Sequence, residues 1–260
     1  MPVALENCYT LITLRNIILI IDDKGKVLEK LHKEDLYLDD SDLAPNITTD
    51  GMLILTSVLG DVYVVNDGQL QELGVFGYDI VPPAIFSDNG LAIAGYAGKG
   101  FCKVKTKGEI VWRSKLAEAD MLPTINSQQF SVVGSLNDGL SAIFYPSGKR
   151  VGKFGEPAMF AEYLEGGWVA VSANRVARLE LKGKEIWSYP LSIQEHTKVY
   201  QPIVDITGKI YFANGNKLTC LSANGMVIFE MAFDDELGSL NMIKPSLLGC
   251  IVGNDFLLIH

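Results

Sequence analysis

Chemistry in this chain of 260 residues would have to come from four cysteines, three histidines and scattered carboxylates. Cys8, Cys102, Cys220 and Cys250 form no CxxC pair, and His32, His196 and His260 stand apart from them. That inventory does not build a zinc site. Buried free thiols are the expectation for all four cysteines, because free cysteine packs as a small hydrophobe; Cys8 and Cys250, at similar places in the first and last repeat, could alternatively be neighbours. No Ser–His–Asp set, HExxH, GxSxG or dinucleotide fingerprint occurs. Gly95-Tyr96-Ala97-Gly98-Lys99-Gly100 has the glycines and lysine of a phosphate loop but lacks its spacing and its following Ser or Thr, so a strand-to-strand hairpin is expected. Glu34, Asp35, Asp39, Asp40 and Asp42 lack the central glycine and closing glutamate of a calcium loop and read as a solvated link. No cofactor and no metal site is expected from these residues.

The net charge of −9 argues against a nucleic-acid backbone as partner and favours a basic protein partner. The apolar stretch from Tyr9 to Ile21 is interrupted by Thr13, Arg15 and Asn16, with no basic segment ahead of it and no small-residue cleavage site after it. It is too short for a membrane span and carries no secretory pattern, which favours the cytoplasm while leaving the compartment open, since a signal peptide removed from a longer precursor fits the same sequence.

What positions these groups is a repeat. Pro2, Pro45, Pro83, Pro123, Pro157, Pro202 and Pro245 are spaced 43, 38, 40, 34, 45 and 43 residues apart. Gly25, Gly68, Gly108, Gly148, Gly183 and Gly225 follow the first six at offsets of 23, 23, 25, 25, 26 and 23. Four residues before each glycine stands an apolar residue: Ile21, Val64, Val104, Phe144, Leu179 and Leu221. Two markers drifting together at about 40 residues indicate a blade-type array. Each proline suits the first residue of a strand, and each glycine a tight hairpin turn. Tyr200 to Ala232 shows the unit most clearly, as four short apolar strands separated by turn residues.

The predicted fold is therefore all-β. It is a seven-bladed β-propeller of four-stranded antiparallel blades filling residues 1–260 as one domain. The last unit should begin at Lys244-Pro245, and its turn glycine would fall near position 268, so this blade is expected to lack its outermost strand. Phe256-Leu257-Leu258-Ile259 then becomes an unpaired apolar edge, of a kind that invites a further strand from a continuation, a neighbouring chain or a local loop. Short helices are allowed only over 35–43 or 234–240.

The fourth strands open on Gly108-Glu109-Ile110-Val111-Trp112, Gly183-Lys184-Glu185-Ile186-Trp187 and Gly225-Met226-Val227-Ile228-Phe229. This pattern resembles the repeats of pyrroloquinoline-quinone-type (PQQ-like) propellers, and Ile21-Asp22-Asp23-Lys24-Gly25 looks like that family's lead-in. Glu29, Glu72 and Gly152 replace the aromatic in the other units. The Trp-Asp dipeptide of WD40 repeats and the repeated double glycine of kelch repeats are missing. The resemblance implies a propeller, and for members that use the quinone, a cofactor with calcium on the axis. The absence of adjacent cysteines points instead to the family's non-catalytic scaffolds. Trp112 and Trp187 are expected to pack across the gap between blades, each ring contributing about 2–3 kcal/mol by burial.

Two functions follow. The first is a protein-binding scaffold. Its acidic face would be made by the blade-to-blade links, with Asp39, Asp40, Asp42, Glu118, Asp120, Glu195, Asp234 and Asp235, opposite a rim of lysines and arginines in the glycine turns. The second is a small-ligand sensor or a lactonase-like, metal-dependent enzyme acting at an axial channel lined by Asn46, Thr124, Gln201 and Ser246, with Glu156 and Lys244 at its rim. The expectation is the scaffold, without enzymatic activity.

Overall fold

The structure is a computed structural model describing residues 3–5, 8–13, 17–22, 26–32, 46–57, 60–66, 69–76, 80–95, 100–114, 116, 118–164, 166–191, 198–244, 247–253 and 255–259. Among these residues every regular element is a strand. The first sheet orders β1 (Val3–Leu5), β2 (Cys8–Thr13), β3 (Ile17–Asp22) and β4 (Val27–His32) from one edge to the other. The second repeats it with β5 (Asn46–Ile47), β6 (Leu53–Thr56), β7 (Asp61–Asn66) and β8 (Gln69–Val75). The third has β9 (Ala84–Ile85), β10 (Leu91–Ala94), β11 (Phe101–Val104) and β12 (Ile110–Arg113). The fourth has β13 (Thr124–Ile125), β14 (Ser131–Ser135), β15 (Leu140–Phe144) and β16 (Arg150–Phe154). The fifth has β17 (Ala158–Tyr163), β18 (Gly167–Ser172), β19 (Arg175–Leu179) and β20 (Glu185–Pro190). The sixth has β21 (Ile203–Val204), β22 (Ile210–Asn214), β23 (Lys217–Leu221) and β24 (Val227–Ala232). The seventh has three strands, β25 (Leu237–Lys244), β26 (Leu247–Val252) and β27 (Asp255–Ile259). All pairings are antiparallel.

The strands divide into two compact units. One holds the first three sheets together with residues 136–138 and 146–149, and the other holds the remaining four. Within each unit the sheets stack in chain order, and this decides the burial pattern. β6, β10, β11 and β14 are buried along their whole length, and they are mostly apolar, with Thr56, Lys103, Ser131 and Ser135 as buried polar exceptions. Fourth strands have one flank in water, and β20 and β24 accordingly keep only alternate or single side chains covered. The core lies between sheets. Ile54 and Val64 meet Ile93 and Val104; Val132 and Ile143 meet Phe160 and Leu179; Val169 and Val171 meet Ile210 and Phe212; Leu218 meets Leu240 and Leu248. Trp168, fully buried, still satisfies its indole N–H by donating to the Leu181 carbonyl at 3.0 Å.

The glycine marker has a physical cause. Gly108, Gly148, Gly183 and Gly225 have φ of 85°, 81°, 88° and 77°, in the left-handed region. In three of these turns the backbone bonds match as well, with Gly108, Gly183 and Gly225 each donating to the carbonyl three residues back. The residue four before each glycine, at Ile21, Val104, Phe144, Leu179 and Leu221, is where the third-to-fourth strand register slips by one. The second sheet differs. Asn66 pairs directly with Gln69, and its slip lies at the far end, between Val62 and Tyr63, beside Gly74 at φ 130°.

Each of these glycines is also a seat for the preceding sheet's outer strand. The Trp112 ring lies on Gly148 and its indole N–H donates to the Pro146 carbonyl at 3.0 Å. Trp187 lies on Gly225 and donates to the Ala223 carbonyl at 2.9 Å. Where the outer strand lacks an aromatic, its backbone takes the place, with the Leu73 carbonyl over Gly108 and the Lys153 carbonyl over Gly183. The tryptophans are thus packing residues that cross to the next sheet, as expected from their positions.

The seventh sheet departs from the expected start. Its first strand is β25, which precedes Pro245, whereas β5, β9, β13, β17 and β21 each begin directly after their prolines. Burial explains the difference: Leu237 and Leu240 pack on Ala213, Leu218, Leu248 and Cys250, which an element starting at Pro245 would leave uncovered. The same strand replaces the short helix allowed over 234–240 from Leu237 onward, while the one allowed over 35–43 lies outside the described residues.

Gly225→Ala should cost roughly 2–4 kcal/mol of stability, from left-handed strain plus collision with the Trp187 ring. Gly139→Ala, with φ 63° and open space around its Cβ position, should cost about 1 kcal/mol. Equal losses in urea unfolding would contradict the seat.

Candidate functional site

Two groups of side chains bear on function, those on the first strands and those in the links. Thr124, on β13, and Gln201, just before β21, come together although 77 positions apart. The Gln201 Nε2 donates to Thr124 Oγ1 at 3.2 Å and to the Phe160 carbonyl at 2.8 Å, and Thr124 Oγ1 donates to the same carbonyl at 3.0 Å. These side chains tie the first strands β13 and β17 and the start of β21, in three sheets, together. In the other unit Asn46 plays a similar part, its Nδ2 donating to the Pro83 carbonyl at the start of the next sheet. Ser246 lies outside the described residues, as does the Lys244 side chain. An open hollow of about 280 Å³ lies beside Gln201, lined by Pro202, Ile203, Leu240, Asn241 and Met242.

Glu156, expected at a rim, is the hub of an ion-pair network inside the fifth sheet. It accepts from Arg175 Nε at 2.6 Å, from Ser172 Oγ at 2.5 Å and from Asn174 Nδ2 at 3.3 Å, and Arg175 Nη1 reaches on to Glu185 at 2.6 Å. Burial alone would raise the Glu156 pKa, but the bonds from Ser172, Asn174 and Arg175 outweigh it and hold the carboxyl below its ordinary range. Asp88 and Asp205 follow the same logic. Burial opposes ionisation in both. The Lys103 ammonium at 2.6 Å and the Gly90 N–H win at Asp88, while donors from Thr207, Lys209 and Tyr211 win at Asp205. Burial pushes the Tyr211 hydroxyl above its usual range, aided by Cys220 and Asp205, and it pushes the Cys220 and Cys250 thiols up as well. Cys220 and Cys250 are buried free thiols, and Cys102 is buried as well. The Cys8 side chain lies outside the described residues.

Of the acidic link residues, Glu118, Asp120, Asp234 and Asp235 are described, whereas Asp39, Asp40, Asp42 and Glu195 lie outside the described residues. Asp120 is half-buried and accepts from the Leu136 N–H of the β14–β15 hairpin at 2.9 Å, fastening a link to the loop beside it. Glu118 is half-buried too, with Oε2 covered and no hydrogen-bond partner among the described residues. Asp234 and Asp235 are exposed, next to Glu236, whose carbonyl accepts from Gly253 in the β26–β27 hairpin. Backbone bonds from Phe76 to Gly60, Ala119 to Gly95, Leu191 to Asn174 and Phe233 to Asn216 show that each of these links crosses the hairpin between its own second and third strands. In the glycine turns Lys105, Lys107, Lys149, Arg150, Lys182 and Lys184 are exposed.

Several structural side chains carried no sequence signal used above. Ser127 donates from both N and Oγ to Glu162 of the next sheet, at 2.9 Å and 2.5 Å. The Arg178 guanidinium is buried over the Tyr163 ring at 3.8 Å and donates to the Leu179 carbonyl. The first-to-second-strand turns were readable: Thr48, Asn126 and Asp205 each open a turn whose fourth residue, Gly51, Gln129 or Gly208, is left-handed and donates back to it.

No protein-family model and no curated protein matches the chain. Solved structures do. BamB from Moraxella catarrhalis superposes with a TM-score of 0.73 at 15% identity, covering 97% of this chain and 81% of that one. The computationally designed Ika8 protein gives 0.77 at 11%, covering 100% and 82%, and virginiamycin B lyase from Staphylococcus aureus gives 0.75 at 12%, covering 99% and 92%. At these identities the likeness establishes the fold, a β-propeller of the kind the PQQ-like resemblance implied.

Because Asp88, Glu156 and Asp205 are held below their ordinary values in the folded chain, their contribution is present above the unfolded carboxyl range near pH 4 and is lost as pH falls through the folded values. The urea midpoint should fall below about pH 4, and Glu156→Gln should flatten that limb. An unchanged slope in the variant would contradict the network.

Proposed function

We propose that the chain is a non-enzymatic propeller scaffold, one seven-bladed domain over residues 1–260, that docks a basic protein partner through the carboxylates of its blade-to-blade links. The observation that carries this is the division of labour among polar groups. The first-strand residues Asn46, Thr124 and Gln201 are engaged in holding blades to one another, and Glu156 in an internal ion-pair network. The exposed carboxylates Asp234 and Asp235 stand in a link. Asp39, Asp40, Asp42 and Glu195 extend that set by sequence position, and the net charge of −9 matches a basic partner. The similarity to BamB fits a propeller without chemistry of its own.

A second reading, small-ligand binding or lyase-type chemistry at the inner strands, draws on the hollow beside Gln201 and Asn241 and on the similarity to virginiamycin B lyase. Measuring association of the intact protein with a captured partner separates the two. The scaffold predicts an on-rate that falls about tenfold or more between low and physiological salt, and a comparable loss on Asp234→Lys with Asp235→Lys. A salt-insensitive on-rate unaffected by charge reversal contradicts it.

A further inference from the structure

We infer that the hollow between the turns of the fourth, fifth and sixth sheets receives a lysine side chain from a protein partner, with Glu162 as its counter-ion. The hollow is open, about 300 Å³ in volume, and is lined by Ser127, Glu162, Tyr163, Leu164 and Val204. Its polar end is fixed. Glu162, half-buried on β17, accepts from the Ser127 N–H at 2.9 Å on both oxygens and from the Ser127 hydroxyl on Oε1 at 2.5 Å. Asp88 has Lys103 and Glu156 has Arg175, but no lysine or arginine pairs with Glu162 among the described residues. A half-buried carboxylate held by neutral donors and lacking a cation attracts one. The rest of the hollow is apolar. Leu164 is 41% exposed and lies against Gly208 in the turn of the next sheet, and Val204 is half-buried. The Tyr163 hydroxyl is engaged by the Gly208 carbonyl at 3.3 Å, and its ring already carries the Arg178 guanidinium.

The bonds already made specify which cation fits. A carboxylate offers about four acceptor positions. Ser127 fills both on Oε1 and one on Oε2, so a single position is left. One acceptor suits the point charge of an ammonium rather than the planar fork of a guanidinium, which pairs with both oxygens. The apolar wall of Leu164 and Val204 suits the four-carbon stem behind that ammonium. The open mouth decides the source. Small-molecule sites enclose about 70–90% of their ligand, which an open hollow does not do, so the ammonium arrives on a macromolecule. At a net charge of −9 the chain repels a second copy of itself, and it repels nucleic acids and anionic membranes likewise. The inference rests on the scaffold reading for the partner's being a basic protein, and adds a contact on the turns, at the opposite strand ends from the links.

The test titrates the intact protein with Nα-acetyl-lysine methylamide and follows backbone amide NMR shifts. Saturable shifts are expected at residues 162–164 and 204–208, with a dissociation constant on the order of 1 mM, as suits a ligand of this size. The norleucine counterpart, which keeps the stem and loses the charge, should bind about fivefold more weakly, and the arginine counterpart about threefold. Glu162→Gln, which keeps an oxygen for Ser127, should erase the preference for lysine over norleucine. Leu164→Ser, at an exposed position, should weaken both alike. Shifts elsewhere, no saturation, norleucine or arginine binding as tightly as lysine, or a lysine preference that survives Glu162→Gln would each overturn it. Micromolar binding of the free probe would make this a small-amine site, and the same shifts on concentrating the protein alone would make it a self-association surface; either overturns the partner's lysine. If Asp234→Lys with Asp235→Lys slows association with a basic partner while Glu162→Gln leaves the off-rate unchanged, the lysine site fails and the scaffold stands. If the probe binds as described while that charge reversal has no effect, the link carboxylates fail and the lysine site stands.

Discussion

The contact on which the architecture rests is an outer strand lying on the left-handed glycine of the following sheet. A side chain at that glycine would meet the Trp112 or Trp187 ring, or the Leu73 or Lys153 carbonyl. The glycine therefore serves twice. Its φ closes the third-to-fourth strand turn, and its bare Cα lets the preceding sheet approach. A short strand pair is marginal alone in water, so each sheet gains its stability from this stacking.

Stacking then dictates the rest. The covered second and third strands are largely apolar, and their residues form cores between sheets rather than within them. Most first strands are only two or three residues long, and side chains bond across sheets at this edge, Asn46 forward to the Pro83 carbonyl and Gln201 back to the Phe160 carbonyl. Polar groups are drawn into holding the array together.

Much of this was legible because stacking repeats. The glycines and the apolar residue four positions ahead of them marked the turn and the register slip, since both are fixed by one backbone geometry. Trp112 and Trp187 were recognisable from their distance to that turn. Pro245 misled, because a proline opens a strand only by circumstance; the strand in the seventh sheet was decided by burial of Leu237 and Leu240, which a spacing rule does not weigh. The candidate site was less legible. Thr124 and Gln201 were found as inner-strand residues, but their mutual bond joins positions far apart in the chain. The partners of Glu156 and the buried Arg178 depend on side-chain direction within one sheet, and no periodic marker carries that.

The central claim is that ring and glycine are in direct contact between neighbouring sheets, and a double-mutant cycle over Trp187 and Gly225 tests it most directly. With Trp187→Ala in the background, Gly225→Ala should lose most of its collision cost, giving a coupling of about 1–3 kcal/mol. Additive losses within about 0.5 kcal/mol would show that the two residues do not touch and would contradict the account.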